Sequence, residues 1–310
     1  MRRKRLILLI IIIIIIIIIA ILLYYFVNDH SITRQNFFSV DSYIQDKGNI
    51  TLFFCPKEDC EGNLVNFLEM AKLSIHCALY DINLPSIQKV LLEKSKEIEV
   101  KVVTDNDSLQ KFNHSFVKSD RGGLMHNKFC IVDGEGISTG SMNPTENDAH
   151  RNNNNLLIIY SKVLAQNYEE EFQELWNNTF KKGNSVRNPS IRIGNILIEN
   201  YFCPEDHCAE QVNEELKKAE KSIFFMTFSF THERIANILL LKHLENITIQ
   251  GIFDVTQISK NSVFDRLVYH NIPSLKDGNK YKLLHIVFII DDETAITGSF
   301  NPTNGGDERN

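Results

Sequence analysis

The sequence has no excess of positive charge. Its 33 Lys and Arg face 39 Asp and Glu, a formal net charge of −6 at pH 7. A chain of this sign has no global attraction for polyanions, which argues against a protein that coats nucleic acid, although a local basic cleft stays open to it. No cluster of carboxylates resembles a magnesium site, so metal-free chemistry without a cofactor is the simpler reading. Charge is missing altogether from residues 6–27, and within that run Ile10 to Ile19 is unbroken. At ~1.5 Å per residue such a helix crosses a ~30 Å hydrocarbon core. Small residues, which end a cleaved signal peptide, are missing from its end. Tyr24, Tyr25 and Phe26 stand there instead, which favours an uncleaved, single-pass anchor. The basic flank Met1 to Arg5 should then stay cytoplasmic and Asn28 onward should lie outside the cytoplasm.

What is present is ordinary for a folded chain: 310 residues, 43% hydrophobic and 23% charged, enough for two compact domains. Strand-like runs at Thr51–Phe54, Ser74–Tyr80 and Glu97–Thr104 alternate with segments of helical spacing, which predicts an α/β fold. The second half repeats the first. Cys55-Pro-Lys-Glu-Asp-Cys60 returns as Cys203-Pro-Glu-Asp-His-Cys208, an offset of 203 − 55 = 148, and the helix and strand after it return as well. Such repetition predicts a pseudo-twofold pair of domains. The expected boundaries are a basic flank at 1–5, the anchor at 6–27, a stalk at 28–48, a first domain at 49–182, a linker at 183–194 and a second domain at 195–310. The second half has no counterpart of Leu156–Phe180. By its own repeat it looks truncated, the alternative being a domain that ends early. Outside the cytoplasm, Cys55 with Cys60 and Cys203 with Cys208 are expected to form local disulfides. The four sulfurs together are the zinc alternative. Cys77 and Cys130, inside apolar strands, are expected to be buried thiols.

The chemistry centres on Met125–Thr145, MHNKFCIVDGEGISTGSMNPT, and its weaker copy His285–Thr303, HIVFIIDDETAITGSFNPT. Alternation along Lys128–Val132 puts His126 and Lys128 on one strand face. Gly134 and Gly136 permit a tight turn, after which Gly140-Ser141-x-Asn143 returns a hydroxyl and a carboxamide toward that face. A histidine, a fixed cation and several hydrogen-bond donors suit an anion whose charge grows in a transition state, phosphate above all. Lys111, His114, Lys118 and Arg121 form a basic flank, read either as a solvated loop or as a clamp for a polyanion or lipid headgroup.

HxKxxxxD followed by GSxN resembles the HKD signature of the phospholipase D superfamily, and the likeness runs through nearly all of residues 48–310. The first half is similar to Zucchini-type mitochondrial cardiolipin hydrolase/endonucleases and to bacterial periplasmic nucleases. The resemblance implies duplicated phospholipase D-like domains, mixed sheets flanked by helices, about a pseudo-twofold axis. It implies that His126 and His285 share the work of nucleophile and acid/base through a phosphohistidine, and that Lys128, Ser141, Asn143, Ser299 and Asn301 cradle phosphate. Asp133 and Asp292 would support the motifs. The second motif departs from the pattern at Val287, read as the place of the missing lysine. A Glu that often follows GSxN and orients the histidine has Asn154 as its best-placed substitute. Three functions follow as expectations: a membrane-anchored phosphodiesterase on phospholipid headgroups, a metal-independent endonuclease, or a non-catalytic protein with a decayed site. The site would join His126 to His285 within one chain, or to a second His126 across a homodimer.

Overall fold

The computed structural model describes residues 43–120 and 124–309. The basic flank, the anchor, residues 28–42 of the stalk and Arg121 lie outside the described residues. Among the described residues no helix is long and apolar enough to cross a membrane.

Strands β1 (Ile44–Asp46) and β2 (Asn49–Cys55) lead into α1 (Cys60–Glu69), β3 (Ser74–Leu79), α2 (Pro85–Lys94) and β4 (Glu99–Thr104). Then come β5 (Val117–Ser119), β6 (Lys128–Val132), β7 (Gly136–Gly140), the short α3 (Glu146–His150), β8 (Asn154–Tyr160) and α4 (Lys162–Trp176). The hairpin of β9 (Ser190–Ile193) and β10 (Ile196–Glu199) connects to the second half. There α5 (Cys208–Lys217), β11 (Ser222–Thr227), α6 (Glu233–Leu244) and β12 (Thr248–Phe253) precede α7 (Phe264–Tyr269), β13 (Ser274–Lys276), β14 (Ile286–Ile290), β15 (Thr294–Thr297) and α8 (Asn304–Glu308).

The architecture is mixed α/β, as expected. The first sheet has seven strands in the order β2-β8-β7-β6-β3-β4-β5, and the second has five in the order β13-β12-β11-β14-β15. In both, a helix carries the chain between two parallel central strands, and an antiparallel hairpin is added on the other side. The first sheet continues past its hairpin with β8 and β2, whereas the second stops at β15. Residues assigned to the stalk and the linker also pair, since β1 runs parallel to β9.

Local sequence explains the helices that cover the sheets. Pro85 starts α2, where its missing N–H costs nothing, and Ile87, Val90 and Leu91 form its buried stripe. Ser161 caps α4 by accepting from the Leu164 N–H, and α4 buries Leu164, Ala165, Phe172 and Leu175 against the sheet. His76, a buried polar residue on β3, is held between Glu99 and Glu169, each at 2.9 Å, and stacks on Phe172. The local Cys55–Cys60 and Cys203–Cys208 disulfides are present, so the four sulfurs of the zinc alternative are already bonded. Cys77 and Cys130 correct the expectation of free thiols: they too form a disulfide. The register of β3 and β6 sets them directly opposite each other, which strand-by-strand reading could not anticipate.

Each motif hairpin is tied to the strand beside it by one aspartate. Asp133, in left-handed conformation at the turn after β6, accepts from the N–H groups of Lys72, Leu73 and Ser74 at 2.9, 2.7 and 2.9 Å. In the second half this is done by Asp291 and not by the expected Asp292: Asp291 accepts from Glu220, Lys221 and Ser222 at 2.8, 2.8 and 2.7 Å. Asp292 is exposed and takes the turn position of Gly134, with a φ of 58°. Burial works against the Asp133 carboxylate, but the bonds from Ser74, Leu73 and Lys72 outweigh it and hold its pKa below the usual range. A group depressed in this way contributes stability above its unfolded pKa and loses it as pH falls through the folded one. Asp133→Ala should therefore cost ~1–3 kcal/mol at pH 7 in urea unfolding, and the gap to wild type should narrow toward pH 3. A gap independent of pH would refute the ionic part of this brace.

Candidate active site

His126 lies just before β6, and its ring is read by its partners. Nδ1 is 3.0 Å from the carbonyl oxygen of Ser299, in the other half of the chain. A carbonyl can only accept, so Nδ1 carries the proton. Lys128 Nζ is 3.1 Å from Nε2 and can only donate, so Nε2 presents a lone pair. Lys128 is buried and also donates to the His126 carbonyl at 2.9 Å. Tyr80 packs its ring 4.8 Å from the imidazole and lies 5.1 Å from Lys128 Nζ. Burial first, and the Lys128 charge second, push His126 down to about 3, against the Ser299 bond. Burial likewise brings Lys128 down to about 7, although Asp148 and Asp81 draw it back up. At neutral pH His126 is an uncharged imidazole whose Nε2 lone pair accepts from Lys128, a cation that titrates nearby.

The Gly140-Ser141-x-Asn143 segment closes the first half of the site. Gly140 has a φ of +128°, and a Cβ there would lie 2.5 Å from the Asn155 carbonyl oxygen, so only glycine fits. The Ser141 hydroxyl accepts from the Asn155 N–H at 3.0 Å and donates to Asn154 Oδ1 at 3.4 Å. Asp148, which sequence reasoning missed, fixes Asn143 by accepting from its N–H and its amide at 2.9 and 2.8 Å, and takes a third bond from Asn152 at 2.7 Å. Its signal was available: Thr145-x-x-Asp148 has the spacing of a helix cap, and Thr145 does cap α3. The Asn143 side-chain oxygen is buried without a partner among the described residues.

The second half supplies the opposite wall, with changed spacing. Ile286 stands opposite Thr227 as Lys128 stands opposite Leu79, and 227 − 79 = 148 is the repeat offset. The lysine position is thus taken by buried Ile286, not by Val287, and His285 is one residue closer to its strand than His126. His285 is buried, with Phe54 from β2 against its ring at 6.1 Å. Its Nδ1 meets the Asn155 amide nitrogen at 3.3 Å. Asn155, not Asn154, is therefore the residue that holds a catalytic-motif histidine, and it holds the one from the other half. Asn154 instead donates to the Asp148 carbonyl. Burial alone lowers His285 to about 4.

The halves are laced along this line. Asn153 donates to the Lys282 carbonyl and accepts from the Leu284 N–H, both at 2.9 Å, and Lys282 donates to Asn152 Oδ1 at 3.0 Å. Ser299 joins the site through its carbonyl rather than its hydroxyl. Asn301, like Asn143, has a buried side-chain oxygen without a partner among the described residues. In the basic flank, Lys111 pairs with Asp81 and Lys118 lies over Trp176 at 4.0 Å, so both are engaged on the surface.

A family model described as cardiolipin synthase, PLD-like domain, matches residues 64–176 and 212–310. The chain belongs to this phospholipase D-like family. Its second matched segment contains His285, Ser299 and Asn301, and its first contains His126, Lys128 and Asn143. The chain is 33% identical over 136 residues to a mitochondrial cardiolipin hydrolase of Xenopus tropicalis, a match covering 39% of this chain and 65% of that protein. It is 28% identical over 144 residues to a phospholipase D of Rickettsia prowazekii, covering 43% of this chain and 69% of the relative. A phosphatidylserine synthase structure from Haemophilus influenzae aligns with a TM-score of 0.60 at 11% identity, over 84% of this chain and 80% of that one, a likeness of fold.

Two glycine substitutions separate the site from the turn beside it. Gly140→Ala should push on Asn155, cost about 1–3 kcal/mol, and lower activity per folded molecule. Gly134→Ala, at a φ of +63° with nothing within 4 Å of its Cβ, should cost ~1 kcal/mol and spare activity. Urea unfolding combined with phosphodiesterase assays distinguishes them, and equal activity losses would count against the Asn155 contact.

Proposed function

We propose that the chain is a phospholipase D-type phosphodiesterase that works through a phosphohistidine on His126, with phospholipid headgroups as its favoured substrates. One observation carries this reading: Ser299 fixes the proton of His126 on Nδ1, leaving the lone pair of Nε2 next to Lys128. As the substrate's phosphoryl oxygens take over the Lys128 hydrogen bond, that nitrogen is released and attacks phosphorus while the bond from phosphorus to the leaving oxygen breaks. Lys128 and Asn143 line the place where charge gathers on the other phosphoryl oxygens. His285, protonated, gives its Nε2 proton to the leaving alcohol. It then takes a proton from water as the water oxygen attacks phosphorus and the bond to His126 breaks. The products are an alcohol and a phosphate monoester. The Asn155 amide bonds Thr297 Oγ1 through both of its ends, at 3.0 and 3.3 Å. It can thus turn its oxygen toward Nδ1 when His285 takes up its second proton.

The lipid preference rests on the charge-free run at 6–27, which would tether the chain to a membrane, and on relatives named cardiolipin hydrolase and phospholipase D. The contacts between halves favour a site made within one chain over His126 pairing across a homodimer. Polynucleotides present the same phosphodiester and are the competing outcome of the assay.

The mechanism separates the two histidines by leaving group. His126→Ala should abolish release of both choline from phosphatidylcholine and 4-nitrophenol from bis(4-nitrophenyl) phosphate. His285→Ala should slow choline release by about 10²–10⁴-fold but 4-nitrophenol release far less, because that leaving group needs no proton. The pH dependence has a definite sign. His126 must be neutral, which holds above about 3, and His285 must be protonated, which in the free protein fades above about 4. Hence kcat/KM should fall from pH 5 to pH 7.5, and Asn155→Asp should move that fall to higher pH. Identical losses on both substrates for both variants, or activity abolished by EDTA, would sink the reading. Cleavage of single-stranded DNA or RNA with no lipid hydrolysis would transfer the mechanism to nucleic acid.

A further inference from the structure

The second half has no lysine at the strand position of Lys128, but it keeps an aromatic ring at the position of Tyr80. Phe228 follows β11 as Tyr80 follows β3, and 228 − 80 = 148 is the repeat offset. Tyr80 lies 5.1 Å from Lys128 Nζ, and Phe228 lies 5.5 Å from Lys282 Nζ. A cation therefore accompanies this ring in both halves. In the second half it comes from three residues before His285 and not from the strand after it. The nearby cations Lys280 and Arg151 lie over Tyr281 instead, at 5.9 and 5.6 Å.

The backbone of Lys282 is tied to the cradle of the first half. Its N–H donates to Asn152 Oδ1 at 3.0 Å, the Asn152 amide donates to Asp148 at 2.7 Å, and Asp148 accepts from the Asn143 amide at 2.8 Å. Its carbonyl accepts from the Asn153 N–H, and the next N–H, of Leu283, donates to buried Asp254 at 2.8 Å. The side chain, by contrast, is uncommitted. It is exposed, and among the described residues Nζ makes no hydrogen bond or ion pair. A surface lysine is commonly as free as this, but its backbone is not commonly bonded into the network that orients a site residue. A flexible four-carbon stem on a fixed backbone can follow an oxygen as charge moves onto it.

We propose, resting on the phosphodiesterase reading, that Lys282 is a phosphate-binding residue of the site: its ammonium meets a non-bridging oxygen of the scissile phosphate from the His285 side and supplies the cation that Ile286 does not. Lys128 approaches the same group from the His126 side, so two charges flank phosphorus while negative charge gathers on its oxygens. Every phosphodiester presents those oxygens, so the role is the same for a lipid and for a polynucleotide.

The test uses the full chain and bis(4-nitrophenyl) phosphate, whose leaving group needs no proton from His285, so that the cation alone is read. Lys282→Ala should lower kcat/KM about 10–10²-fold, chiefly through kcat, and leave urea unfolding unchanged because the side chain is exposed. Lys282→Arg should recover most of the loss, and Lys280→Ala should stay within about twofold of wild type. Inorganic phosphate, as a competitive inhibitor, should bind Lys282→Ala about tenfold more weakly, which a merely structural role would not produce. Wild-type kcat/KM and phosphate affinity in Lys282→Ala overturn the assignment. So does an equal loss in Lys280→Ala, which would mean a diffuse field of surface charge. If the wild type hydrolyses no diester, the catalytic reading fails and calorimetry with inorganic phosphate decides. Binding weakened by Lys282→Ala but not by Lys280→Ala supports the site, and any other outcome, including no binding to wild type, refutes it.

Discussion

The exchange of contacts between the two halves is the constraint on which the site depends. Asn152–Asn155, from the first half, runs against Lys282–His285, from the second, and trades backbone and side-chain hydrogen bonds with it. Ser299, from the second half, reaches the ring of His126 in the first. Each histidine is therefore oriented by the half to which it does not belong. A displacement of one half against the other would release both rings at once, because buried polar groups that lose their partners cannot find water instead.

Burial sets the electrostatics of this junction. Both imidazoles are pushed below their ordinary range, and Lys128 is brought down to about 7, because the surroundings disfavour charge. The support around them is mostly neutral: a backbone carbonyl for His126 and a carboxamide for His285. Asp148 is the buried carboxylate of the first half's cradle, and it is spent on holding Asn143 and Asn152. An anionic phosphoryl group entering here meets few competing negative charges, and its own charge favours protonation of the imidazoles and of Lys128. The departures of the second motif belong to the same picture. A buried isoleucine in place of lysine removes a cation from that side.

Much of the fold was legible because its signals are local or repeated. Period-two alternation marked β4 and β6, Pro85 marked the start of α2, and the return of CPxxxC after 148 residues marked the duplication. The two local disulfides followed from the expected extracytoplasmic placement of two closely spaced cysteine pairs. The errors fell where register decides. One residue fewer between His285 and its strand moved the lysine position from Val287 to Ile286 and the bracing aspartate from Asp292 to Asp291. The bond between Cys77 and Cys130 depends on the pairing of strands 53 residues apart in sequence. Asn154 and Asn155 are neighbours on a strand and so face opposite ways, and nothing in their sequence says which one looks toward the other half.

The sequence by itself determined the chemistry on offer: two histidines, one lysine, and two GSxN segments, set on hairpins whose glycines and aspartates permit tight turns. Side-chain type and short-range periodicity suffice for that, since both act within a few residues. Tertiary structure alone decided how those groups are used. It placed Ser299 on Nδ1 of His126 and Asn155 on His285. Tautomer, pKa and nucleophilicity depend on the partners and the dielectric around a group, and the partners that orient these two rings come from segments more than a hundred residues away in the chain.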